Sequence, residues 1–127
     1  MRVKEAKVLL DNGYFSGAYY ILGYAVECAL KACIAKQIRR YDFPDRRLIN
    51  DSYTHDLDRL LSVSGLIYEL RRERRANSAL DVNWGIVEDW KVDSRYETGV
   101  SESKARDLFA AVTARRGGVL PWLKRRW

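Results

Sequence analysis

A chain of 127 residues, 47% hydrophobic and 12% aromatic, can build one packed core, and its four Trp and eight Tyr argue against disorder. One His and two Cys exclude a multi-histidine metal site, a cysteine zinc site and a disulfide framework. The formal charge of +6 raises the expectation of a polyanionic partner.

Residues 1–127 read as a single, mainly helical domain. Val3, Ala6, Leu9 and Leu10 share one face of a short first helix, and Asp11-Asn12-Gly13 is its stop signal. The run from Tyr14 to about Arg40 has no Gly-Pro punctuation and is apolar nearly all round. That predicts a helix in the middle of a bundle, covered on several sides. Gly17, Ala18, Gly23, Ala25, Ala29 and Ala32 are small enough to let neighbouring backbones come close. The run approaches membrane-spanning length, but Ser16, Glu27 and Lys31 inside it favour a bundle core and no membrane partner. Cys28 and Cys33 would lie about 140° apart around a helix, so they cannot bridge each other. Two such thiols suit a reducing cytoplasm, and MRVKEAKVLLDNG has too short an apolar run for a secretory signal.

Tyr41 to Tyr53 reads as a connector, because Phe43-Pro44 disfavours helix and Asn50-Asp51-Ser52 is turn chemistry. Thr54 is the expected N-cap of the next helix, with Leu57, Leu60 and Leu61 as its buried stripe. Ser64-Gly65 breaks the pattern, and Leu66, Ile67 and Leu70 restart it. Residues 81–100 are expected to form a long irregular connection, with Trp84 and Trp90 plugging one end of the core. Ser101 caps the last long helix, in which Ala105, Leu108, Phe109 and Val112 hold helical spacing. Residues 117–127 form a basic-aromatic tail after Gly117-Gly118, with Pro121 placed to open a final turn of helix.

Within the apolar run Glu27 needs an explanation, because an unpartnered buried carboxylate costs several kcal/mol. Two readings stand. Lys31, one turn on, can pair with it along a narrow polar stripe. Alternatively Glu27 reaches a cation from another segment, for which Arg95 is the candidate. His55 is either structural beside its turn or, as an imidazole, a proton-transfer group that would need an arginine to hold phosphate oxygens. In the tail VLPWLKRRW, Trp122 and Trp127 alternate with Lys124, Arg125 and Arg126. Such a pattern caps a core or stacks bases and holds phosphates. Arg115-Arg116 adds a second late cationic pair. Walker-type, dinucleotide-binding, HExxH and GxSxG motifs are absent, so no cofactor and no metal are expected. Asp42/Asp45 and Glu88/Asp89 are weak carboxylate pairs on expected loops.

The order of these features resembles the HEPN family of small all-α prokaryotic domains. The likeness rests on Leu9-Leu10, on DNGYFSGAYY from Asp11 and on GYAVECALKACI from Gly23. It continues through Thr54-His55-Asp56-Leu57 with Leu60-Leu61, through Trp90 and Arg95-Tyr96, and through Ala105, Phe109, Ala110 and Trp122 in the final segment. The resemblance implies an antiparallel up-and-down bundle of four to five helices, often dimeric. Such bundles serve in toxin–antitoxin or defence systems, some beside a nucleotidyltransferase or antitoxin partner. It also implies RNA as a ligand and, in members with an Arg, a spacer of four to six residues and then a His, metal-independent RNA cleavage. That spacer would require Arg at 48, 49 or 50, where this chain has Leu48, Ile49 and Asn50; Arg47 is one residue too far away. The expectation is therefore an RNA-associated or protein-interaction module lacking the standard motif. The alternative is a ribonuclease using His55 with Arg47 or Arg95. Glu27, Arg95, Tyr96 and His55 are the expected members of a polar cluster between helices, and Arg115, Arg116, Lys124, Arg125 and Arg126 are candidate nucleic-acid contacts.

Overall fold

The computed structural model describes residues 2–40, 46–93 and 99–127, with the side chains of residues 39, 40 and 48 outside that description. Eight helices run through the described residues, and none of these residues is in a strand. They are α1 (Arg2–Asp11), α2 (Phe15–Arg40), α3 (Arg46–Asp51), α4 (Leu57–Val63), α5 (Ile67–Ala76), α6 (Ser78–Glu88), α7 (Glu102–Thr113) and α8 (Val119–Lys124).

The apolar run does become the central helix. α2 packs against α1, α4, α7 and α8, while α6 closes on α7 and α5 on α6. Ala18, Leu22, Val26, Ala29, Leu30, Cys33 and Ile34 recur at helical spacing and are buried in the common core. Between α1 and α2 the chain reverses within residues 12–14. Asn12 Nδ2 donates to Val8 O (2.7 Å) and Tyr14 N to Leu9 O (2.8 Å), so the last carbonyls of α1 are satisfied at once. Phe15–Ile38 is long and apolar enough to cross a membrane by length and composition, yet most of that stretch is buried against the other helices. One side stays open: Cys28 and Ala35 are exposed, and Ala32 and Ile38 are half-buried.

Gly23 fixes how the core closes. A Cβ there would lie 2.0 Å from a ring carbon of Trp90, so the indole rests directly on the α2 backbone. Trp84 and Trp90 are both 2% exposed, and Trp84 meets Trp122 edge-on at 6.1 Å.

Three local expectations change. Residues 81–88 are not irregular; they form most of α6. Asn77 both ends α5 and starts α6, its side chain accepting from Leu80 N at 3.2 Å. Burial of Leu80, Trp84 and Val87 then outweighs the helix penalty of Gly85, which is about 1 kcal/mol. Secondly, the N-cap of α4 is Asp56 rather than Thr54. Asp56 Oδ1 accepts from Asp58 N (3.0 Å) and Arg59 N (3.3 Å), while Thr54 Oγ1 accepts from Asp56 N (3.2 Å). Thirdly, residues 46–51 of the expected connector wind into α3. The last two helices join through Gly117 at φ +72°, where a Cβ would also meet Ala79 Cβ and Leu80 N at 2.8 Å.

Ion pairs lock the tail to the middle of the chain. Arg126 Nη2 donates to Glu69 Oε1 (2.7 Å) and Glu73 Oε2 (2.8 Å), and its guanidinium lies over the Trp122 ring at 3.8 Å. Trp122 Nε1 donates to the same Glu73 Oε2 at 3.1 Å. Arg74 ties α5 to α6 by bonds to Asp81 Oδ1 (2.7 Å) and Glu88 Oε1 (2.6 Å).

Candidate functional site

Glu27 is 1% exposed, in the middle of α2. Both readings of its environment hold in part. Lys31 Nζ donates to Glu27 Oε1 at 3.0 Å, as the one-turn spacing predicts. The second partner comes from another segment, and it is His55, whose Nδ1 contacts the same oxygen. The local fold explains the placement. Leu57, Leu60 and Leu61 bury one face of α4 against α2, and the Thr54–Asp56 turn fixes the cap. The residue just ahead of that cap is thereby held over Glu27.

The carboxylate lies in the core while its partners reach water. The Lys31 side chain is 35% exposed and that of His55 is 59% exposed. A carboxylate oxygen accepts, so Nδ1 carries the hydrogen in this pairing and Nε2 is the imidazole nitrogen left for another partner. The arrangement has the geometry of a base with its orienting acid, a buried carboxylate setting the tautomer and direction of an imidazole. The other carboxylate oxygen, Oε2, is buried with no hydrogen-bond partner among the described residues. Trp90 Nε1 is likewise buried without one. Among the described residues no group of three or more His, Cys, Asp or Glu stands together to hold a metal ion.

The remaining site candidates separate. Arg95 and Tyr96 lie outside the described residues. Arg47 is exposed on α3 and makes an interaction of its own. Arg115, Arg116, Lys124 and Arg125 are exposed at the C-terminal side of α7 and around α8. Arg126 differs from them: it is committed to Glu69, Glu73 and the face of Trp122, with 17% of its side chain exposed. Its guanidinium therefore serves the fold, where the sequence had placed it among nucleic-acid contacts. The same pairing holds the Glu69 carboxyl below its ordinary value, chiefly through the Arg126 hydrogen bond. Burial pushes the Cys33 thiol up, as suits a packing residue.

Sequence reasoning missed the acids that claim Arg126. Their signal was weak: Glu69 and Glu73 lie one turn apart on α5, but nothing local names the arginine about fifty residues later. For Glu27 it named Arg95 first, which lies outside the described residues; the partner seen is His55, another member of the expected cluster. No curated protein and no solved structure matches the chain. The model of the HEPN domain family, however, matches residues 2–116, and the chain belongs to that family.

Proposed function

We propose that this HEPN domain is an RNA-associated module of a cytoplasmic toxin–antitoxin or defence system. RNA would meet it at the Glu27–Lys31–His55 cluster. The observation that carries the reading is a half-exposed imidazole anchored through Nδ1 to a carboxylate in the core, with a lysine on the same oxygen. Nitrogen donors held at a surface suit phosphate and ribose oxygens. The charge of +6 and the exposed Arg115, Arg116, Lys124 and Arg125 supply long-range attraction for a polyanion. A homodimer, and a nucleotidyltransferase or antitoxin as second partner, belong to the same proposal by virtue of the family.

The cleavage reading is favoured by one feature, an imidazole whose tautomer is set by a buried acid and whose Nε2 has no hydrogen bond among the described residues. In that reading Nε2 takes the proton of a ribose 2′-hydroxyl as its oxygen attacks the adjacent phosphorus; the P–O5′ bond breaks, the leaving 5′-oxygen takes a proton from the imidazolium or from water, a 2′,3′-cyclic phosphate results, and a nearby cation steadies the phosphate. The standard Arg-spacer-His motif is absent, so the steadying group would be Lys31 or an arginine outside that motif.

Mixed RNA incubated with the protein in EDTA, beside His55→Ala, tests both. Retention that weakens steeply with salt and falls in the mutant is the expected result. Cleavage lost in His55→Ala would promote the second reading. No retention at low salt contradicts both.

A further inference from the structure

The open side of α2 carries a feature that the RNA reading, Lys124 apart, does not use. Two hollows of about 670 and 380 Å3 lie along it and share Trp127 in their walls. Ala32, Ala35 and Ile38 floor the larger one, and Ala25, Cys28 and Leu120 help floor the smaller. Arg2, Lys4 and Lys124 line the second hollow, and no acid is among the described lining residues of either. Arg2 is paired with Glu5, whereas Lys4 and Lys124 form no ion pair among the described residues. Among the described residues the apolar trough is thus flanked by two lysines without an ion pair, Lys124 lying over the Trp127 ring at 6.0 Å.

We propose that this trough docks an amphipathic helix of a partner protein, with its apolar stripe on α2 and carboxylates on its flanks. Shape argues for a helix. The span from Ala25 to Ile38 measures about 20 Å, or roughly four turns. The alanines allow helix axes to approach to about 8 Å. The described fold has no sheet edge on which an extended peptide could add a strand. Charge argues for an acidic partner. A second copy of this +6 chain, laid symmetrically on the trough, would set Lys4 and Lys124 near their own counterparts. A carboxylate-flanked helix neutralises them instead.

Cys28 offers a direct reporter, since it is exposed in the trough and the other thiol, Cys33, is buried. The probe is a displayed library of 18-residue helical peptides with charges randomised around a leucine-alanine stripe, selected on the immobilised full chain. Enriched peptides should be rich in Glu and Asp, and once synthesised should slow maleimide labelling of Cys28. Their capture should fall about tenfold or more on Ala35→Arg and on Lys124→Glu, both changes at exposed positions. Thermal melts of the variants show that they are folded. No enrichment over a blank surface, or neutral or basic winners, would overturn the proposal. So would winners indifferent to Ala35→Arg. Protection of Cys28 by rising concentrations of the protein itself, or by RNA, would overturn it in favour of self-association or a nucleic-acid face.

Discussion

Glu27 shows how one side chain can serve a site at some cost to the fold. A buried carboxylate loses its hydration, and here a half-buried lysine and an exposed histidine share one of its oxygens while the other has no bond among the described residues. Three substitutions separate its roles. Lys31→Ala removes a screened, part-exposed pair and should cost less than about 1 kcal/mol. Glu27→Ala adds a core cavity and should cost about 2 kcal/mol or more. Glu27→Met fills that space without a charge and should leave stability unchanged or raised. Urea unfolding midpoints give all three. Equal small losses for Glu27→Ala and Lys31→Ala would make the carboxylate an ordinary surface group. The sequence made the problem visible, because an acid inside an apolar run demands a partner. It did not select the partner, since nothing local distinguishes an imidazole 28 residues away from a guanidinium further on.

At the scale of elements, two joints carry the packing. The first is α2 against Trp90. Alanine at position 23 gains up to about 1 kcal/mol of helix propensity over glycine. Its Cβ, however, would sit 2.0 Å from a ring carbon, and overpacking typically costs about 1–3 kcal/mol. The clash should win, so Gly23→Ala should lower the unfolding midpoint; a rise would mean that the indole does not lie there. The second joint is the Arg126 clamp between the chain end and α5. Glu69 is held below its ordinary value of 4.5 by Arg126. Its stabilising effect is therefore present above that value and lost as pH falls through the lower, folded one. Melting temperature should drop between pH 5 and 3, and Arg126→Met should flatten that drop while changing little of the slope above pH 5. Equal acid slopes in the two proteins would show that the pair is not formed in solution. Long or periodic elements were legible: α2 from its uninterrupted apolar length, and α7 from its Ser101 cap and helical spacing. α6 was not, because Gly85 and its polar neighbours imitate a loop until Leu80, Trp84 and Val87 are seen to face the core.

Across the whole molecule, a basic helical bundle is built around one apolar helix that has two uses. Its buried sides hold the core together and present Glu27 to His55, while its uncovered side forms a cation-flanked trough. The all-α fold followed from composition and periodicity, although Ser64-Gly65 and Asn77 divide the middle of the chain more finely than four or five helices. The uncovered face was hidden in the sequence, since an all-round apolar helix looks the same whether all or most of it is enclosed. The site reduces to one bond, and the chain's single histidine makes that bond directly observable. Long-range 1H–15N NMR correlation of His55 in alkaline buffer reports which nitrogen carries the proton. The protein should show the Nδ1–H tautomer, and Glu27→Met should shift it toward the Nε2–H form that predominates in free imidazoles. An Nε2–H tautomer in the unmodified protein, unchanged by Glu27→Met, would contradict the account.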